Sequence, residues 1–378
     1  MRRPAAPLPA GCRVGARRGC APCVLATLLL GALSGQVAIA QSADADNGST
    51  GNPSKFFVVP YPITEPAVGN GLLAGPVWMR AGPTAVAGPA KPQAFGAAAL
   101  WTNGGSRGLF AFDHRAWDDG KWRTTAIGGR VDLHLRYPGL LPGADRSVGF
   151  TLHVKGGSLE GERLLGEGPD SFIFKIFSGT AEATFHEPPP ELTIEPKRIN
   201  IVGTTVAWSR DTRDDIFSPA SGQAMQVGVT AYPESLGSDF DAQRLSFSWM
   251  GYHTGPGAGV FGLRTQADFS FGTPPFYLRP YISLRGVPAL RYPGEQVASA
   301  EAEYRYPIGP RWSVLAFGGI GTARADIHGL TAKKTVSTIG AGFRVKMKKL
   351  FGLTLGIDVA HGPDGTYVYF QVGNAWTK

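Results

Sequence analysis

Tyr281–Ile308 reads YISLRGVPALRYPGEQVASAEAEYRYPI, and its two halves follow different rules. The first half carries Gly286, Pro288, Pro293 and Gly294, residues that bend or end regular structure, around two cations, Arg285 and Arg291. The second half alternates, with Glu301, Glu303 and Arg305 on one face and Ala302, Tyr304 and Tyr306 on the other. Period two is the pattern of a strand with two unlike faces. A cationic loop thus runs into a strand whose polar face bears carboxylates.

The alternation recurs outward from this stretch. Val131, Leu133, Leu135 and Tyr137 oppose Asp132, His134 and Arg136, and Phe150, Leu152 and Val154 oppose Thr151, His153 and Lys155. Leu245, Phe247 and Trp249 oppose Arg244, Ser246 and Ser248, while Phe343, Val345 and Met347 oppose Arg344 and Lys346. Leu353, Leu355 and Ile357 oppose Thr354 and Asp358. These runs approach the about 9–11 residues of a tilted membrane-spanning strand, and past residue 40 no apolar run reaches the about 18 residues of a helical span. Trp117 and Trp122 bracket the turn Asp118–Lys121 as interfacial aromatics would. Because backbone groups in lipid must all pair, spanning strands require a closed barrel. The expected fold is all-β: a transmembrane antiparallel β-barrel of about sixteen strands, the first opening near Val68, one near Phe276, and the last ending at Trp376. Proline-rich runs such as Glu187–Pro190 and Gly272–Pro275 fall between strands.

Residues 1–40 read as a signal peptide. Arg2, Arg3, Arg13, Arg17 and Arg18 precede the apolar stretch Val24–Leu33, and Ala38-Ile39-Ala40 is a cleavage site. The three cysteines, Cys12, Cys20 and Cys23, lie in this leader, so no disulfide or cysteine metal site is expected beyond it. The formal charge of +8 shrinks to 8 − 5 = +3 once the five leader arginines are removed. That excludes the basic surface of a nucleic-acid binder. Residues 41–65 are read as a polar periplasmic N-terminal segment and 66–378 as the barrel domain.

The loop and strand at 281–308 resemble the lid loop and following strand of the BamA/TamA-type outer membrane protein superfamily, the bacterial surface antigen family. The resemblance implies an extracellular lid folded into the barrel, built here from Arg285, Gly286, Arg291 and Tyr292, with Glu303 as the partner of Arg285. The family's second acid would fall at Gly319, within Phe317–Gly321, which leaves Glu301 as the substitute partner. Without that resemblance, Arg285-Gly286 would be an ordinary loop dipeptide. Asp211–Gly222, DTRDDIFSPASG, resembles a family segment joining two strands; Asp211, Arg213 and Asp214 form a local charge cluster, and Pro219 and Gly222 shape a structural turn. Pro60–Gly75 resembles the start of the first strand in members without POTRA domains. Its Gly69, Gly71 and Gly75 either weaken a seam with the last strand, which ends at Trp376, or ease curvature.

By resemblance the chain is a member without POTRA domains, exported to the bacterial outer membrane. Assembly, insertion or translocation of unfolded outer-membrane clients is the first functional expectation, with outer-membrane lipids and lipopolysaccharide as surroundings. The alternative is a passive or lid-gated channel in which Arg136, Lys155, Arg244, Arg344 and Lys346 line the lumen and favour anions. No nucleophile elbow, phosphate loop or dinucleotide fingerprint occurs. No enzyme activity, cofactor, metal or nucleic acid is expected, and the sequence leaves the oligomeric state open.

Overall fold

Period-two alternation folds into one sheet of sixteen strands, ordered β1 to β16 as in the chain. The computed structural model describes residues 55–376, apart from 81, 84–90, 139–146, 187–195, 328–329 and 348–353. The leader, the segment up to residue 54 and the Glu187–Pro190 run lie outside the described residues. The strands are β1 (Lys55–Glu65), β2 (Gly69–Arg80), β3 (Gln93–Thr102), β4 (Arg107–Trp117), β5 (Trp122–Pro138), β6 (Ser147–Leu164), β7 (Asp170–His186) and β8 (Lys197–Asp211). They continue with β9 (Gly222–Tyr232), β10 (Ala242–Thr254), β11 (Val260–Gly272), β12 (Gln296–Pro307), β13 (Trp312–Ile327), β14 (Leu330–Lys346), β15 (Thr354–Gly362) and β16 (Gly365–Val372). Every neighbouring pair is antiparallel, so connections after odd-numbered strands lie at the end opposite the strand termini Lys55 and Val372.

The strand count agrees with the sequence reading through two compensating differences. A strand already opens at Lys55, inside the segment assigned to a polar N-terminal region. Pro60 and Pro62 disguise it, because proline lacks a ladder donor and is tolerated on an edge strand. The run near Phe276 is instead a single 3-10 turn, Phe276–Leu278, which carries Tyr277 and Leu278 into the barrel. The barrel is nearly closed. Among the described residues no ladder joins β1 to β16; the Phe370 N–H donates to the Thr64 hydroxyl at 2.7 Å. The end of β16 turns inward, and its Val372 is buried in the same apolar cluster as Tyr61 and Ile63 of β1.

The glycines read as a seam lie elsewhere. Gly69, Gly71 and Gly75 belong to β2, between two paired neighbours. A side chain at Gly71 or Gly75 would strike the backbone of Trp101 or Ala97, so close packing of β2 on β3 requires them.

Four strands are much longer than a membrane requires: β5, β7 and β14 have 17 residues and β6 has 18. On β5, β6 and β7 the outer face changes character midway. On β7 it passes from Phe172, Phe174 and Ile176, all exposed, to Ser178, Thr180 and Glu182. On β5 it passes from Trp122 and Ala126 to Arg130 and Asp132, and on β6 from Leu159 to Lys155 and His153. The inner face changes in the opposite sense. Arg123 and Glu162 are buried near the terminal end, whereas Val131, Leu133, Phe150, Leu152 and Ile201 fill the far end. The lower part of the wall is therefore a lipid-facing belt around a polar interior, and the upper part an apolar core with a wet exterior. Arg136 and Lys155 thus lie on the outer wall, not in the lumen. Arg244 is paired with Asp268 at 3.0 Å, and Lys346 is exposed at the terminal rim.

The belt boundary predicts a depth-dependent cost. Ile176→Arg should destabilise the barrel by about 2–4 kcal/mol, and Thr180→Arg, farther up the same outer face, by about 0–1 kcal/mol, in urea-dependent folding into vesicles. Equal costs would place the boundary elsewhere.

Candidate functional site

The connection between β11 and β12, residues 273–295, is a lid that enters the barrel from the end opposite the strand termini. Its neck is narrow: Tyr281 bridges Pro293, and the Ile282 N–H donates to the Tyr292 carbonyl at 3.1 Å. Beyond the neck Ile282, Leu284 and Val287 are buried against Val297, Ala323 and Val336 of the wall. The wall makes room with glycine. A Cβ at Gly319 would lie 2.8 Å from Leu284, and one at Gly321 would overlap Ile282. The position expected for a second acid is thus taken up by the lid's own leucine.

At the lid tip Arg285 is buried among three carboxylates. Its Nε donates to Glu301 at 2.9 Å, its Nη1 to Asp358 at 2.9 Å, and its Nη2 lies 2.8 Å from both Glu301 and Glu303. The Glu303 contact is an ion pair without hydrogen-bond alignment; the Glu301 and Asp358 contacts are aligned. The backbone N–H of Arg285 also donates to Glu301, at 3.2 Å. The guanidinium carbon sits 3.6 Å from the centre of the Phe317 ring, so one face is covered by an aromatic. Arg344 donates two hydrogen bonds to Asp358, and Arg264 donates to the Ser283 carbonyl of the lid. Three arginines face three carboxylates, and the buried cluster is close to neutral. Such a cluster persists only because its charges are mutually paired.

The sequence reading assigns Arg285 one acid, Glu303, with Glu301 as substitute. Both engage, and Glu301 is fully buried. Asp358 on β15 is a partner that the reading misses, although its place on the polar face of Leu353–Asp358 is visible. The signal that could have found it is the pair Gly342 and Gly356: a Cβ at either would strike Asp358 or Arg344. These glycines face charged residues across the sheet and leave them space.

Gly286 has φ +94°, a conformation that suits glycine, and its N–H donates to the Tyr369 hydroxyl of β16 at 3.0 Å. Ala289, farther along the lid, donates to the Glu65 carboxylate at the end of β1 at 3.4 Å. The lid therefore touches both strands that fail to pair with each other. Near the rim Arg291 and Tyr292 reach Asp364 in the β15–β16 turn, each at 2.7 Å. The hydrogen bond from Arg291 holds the Asp364 carboxyl below the usual aspartate range.

The opposite end is closed by the chain's own tail. After Gly373 the chain turns over Phe217, Asn374 bonds to Tyr252, and Trp376 is buried with its indole N–H donating to Glu301. Trp376 thus sits inside the lumen, away from the lipid-facing aromatics. Lid and tail enter from opposite ends and meet on one carboxylate. The turn 212–221 supports the tail. The Arg213 guanidinium forms two hydrogen bonds to Asp211, at 2.9 and 2.7 Å, and its backbone N–H a third, at 3.2 Å, whereas Asp214 is separate and accepts the Ala220 and Ser221 amides. The buried Pro219 accepts from Arg305 at 2.5 Å, and Gly222, with φ +88°, starts β9. His134 stacks on His186 with ring centroids 6.0 Å apart. No cluster of metal-ligating residues occurs among the described residues.

No family model and no curated protein matches this sequence. Among solved structures the fold is similar to BamA from Haemophilus ducreyi lacking POTRA domains 1–3, with a TM-score of 0.58 and 12% identity over 85% of this chain and 69% of that one. The chain therefore has a BamA-like barrel fold, the fold of an outer-membrane β-barrel protein.

Clamp and rim can each be tested. Arg285→Ala strands buried carboxylates and should cost about 3–5 kcal/mol in urea unfolding from vesicles; a loss below about 1 kcal/mol would show the cluster relaxes without its central cation. The depressed Asp364 carboxyl contributes stability above the ordinary aspartate value of about 3.9, lost as pH falls through its lower folded value. Protease protection of the lid should hold from pH 7 to about 4 and fall below it, and Asp364→Asn should remove that acid limb. An unchanged acid limb in the variant would place the titration elsewhere.

Proposed function

We propose that this chain is an outer-membrane barrel that assists insertion or assembly of other outer-membrane β-barrels, with its β1–β16 seam as the working edge. The observation that carries this reading is the seam itself. Two edges that share no ladder among the described residues are a ready template for an incoming strand. Strand addition to such an edge is driven by main-chain hydrogen bonds and needs no particular client sequence. The lid contacts both edges and the buried Arg285 clamp anchors the lid, so clamp and seam are coupled in one unit.

Passive conduction fits less well. The lid, Trp376 and a large apolar cluster occupy the interior, and most of the charges expected along an anion path are paired or turned outward. An open pore on this fold would need the lid withdrawn.

The test uses vesicles carrying the protein and a urea-unfolded outer-membrane barrel as client. Client folding should accelerate, and a reversible cross-link between cysteines introduced at Thr64 and Phe370 should abolish the acceleration until reduced. Arg285→Ala should change it as well. If folding is not accelerated while bilayers holding the protein conduct steadily, the channel reading replaces this one.

A further inference from the structure

The outer wall carries a feature that neither lid nor seam uses. Where β5 and β6 leave the apolar belt, Arg130 and Lys155 stand directly opposite each other across the sheet, both exposed. Like charges in that position repel. Neither has a salt bridge among the described residues. The next row up is balanced by contrast: Arg107 pairs with Asp132 at 3.3 Å, Asp132 with His153 at 2.7 Å, and Arg198 with Glu182 at 3.1 Å. The row nearest the lipid thus carries two facing cations without an acid, whereas the row above it is paired.

Directly beneath them the wall is hollow. Gly128 opposes Gly157, and with Ala111, Ala126 and Ser178 nearby the outer surface has little side-chain volume. A groove of about 640 Å³ runs there, flanked by Leu159, Ile176 and Leu236, each about half exposed. At its edge lies Asp113, already paired with Arg115 at 2.7 Å.

We infer that this is a binding site for a phosphorylated glycolipid of the outer leaflet: the headgroup phosphate on Arg130 and Lys155, an acyl chain in the groove. Arginine presents a fork that matches a phosphate, and lysine adds a point charge. The groove takes the apolar part, and the depth matches, since the cations stand at the edge of the lipid-facing belt. Isolated basic residues at interfaces are ordinary; an opposed pair over a vacated apolar groove is a two-part site. The assignment rests on the orientation of the proposed outer-membrane function, with the lid end facing outward.

Native mass spectrometry of the full chain in detergent, titrated with diphosphorylated lipid A, tests it. The wild type should retain the lipid, and R130Q/K155Q should bind at least about ten-fold more weakly. A Cβ at Gly128 would meet nothing closer than 3.6 Å, so Gly128→Leu fills the groove without a backbone clash and should also weaken binding. Arg163→Gln, which removes a cation over Trp122 at the opposite rim, should bind as wild type. Millimolar inorganic phosphate should not displace the lipid. Wild-type affinity in R130Q/K155Q, an equal loss in Arg163→Gln, or displacement by phosphate with Gly128→Leu unaffected would each overturn the site. Client folding is measured on the same variants, and lost lipid binding with unchanged client folding supports this site independently of the assembly reading.

Discussion

A guanidinium buried inside a barrel has few ways to exist, and the interior is organised by that constraint. Arg285 is carried into the lumen on a loop whose neck is closed by backbone hydrogen bonds. Once there it needs carboxylates, and β12 and β15 supply them from two sides. Those acids need further cations, which Arg344 and Arg264 provide. Removing any one member leaves another uncompensated, which is costly in a poorly solvated interior. The clamp therefore fixes the depth of the lid, and the lid depth determines which groups reach Tyr369 and Glu65 at the seam.

The barrel divides into two unlike halves. Strands β5–β8 are tall, joined to one another by long ladders and packed around an apolar core that includes Phe150, Leu152, Phe177 and Ile201. On the other side lie the clamp, with its buried ion pairs, and the seam, where no ladder joins β1 to β16 among the described residues. A rigid wall facing a weakly joined edge permits local opening without loss of the whole fold. The tail adds a second restraint, since Trp376 shares Glu301 with the lid and ties the end of β16 to the clamp.

Much of this is legible in the residues. Alternation at Glu301, Glu303 and Arg305 places those side chains in the lumen, and exposed Tyr304 and Tyr306 face outward as expected. Alternation does not say which face is inside, however. For Val131, Leu133 and Leu135 the apolar face points inward, because those positions lie above the lipid belt and obey the rule of a soluble protein. Pro60 and Pro62 hide β1, since their cost depends on having an edge on one side, which is a property of the whole barrel. The partnership of Arg285 with Asp358 joins residues 73 positions apart, and no local pattern encodes a contact of that span. Trp376 is visible as a terminal aromatic, but its turn into the lumen depends on Gly373 passing Phe217, a tertiary contact.

The central claim is that the Arg285 clamp controls the seam through the lid. Hydrogen exchange of the protein in vesicles, wild type against Arg285→Ala, tests it most directly. The account predicts faster exchange in β1, β16 and the lid, with β5–β8 unchanged. Exchange that rises uniformly around the barrel, or remains unchanged at β1 and β16, would contradict it.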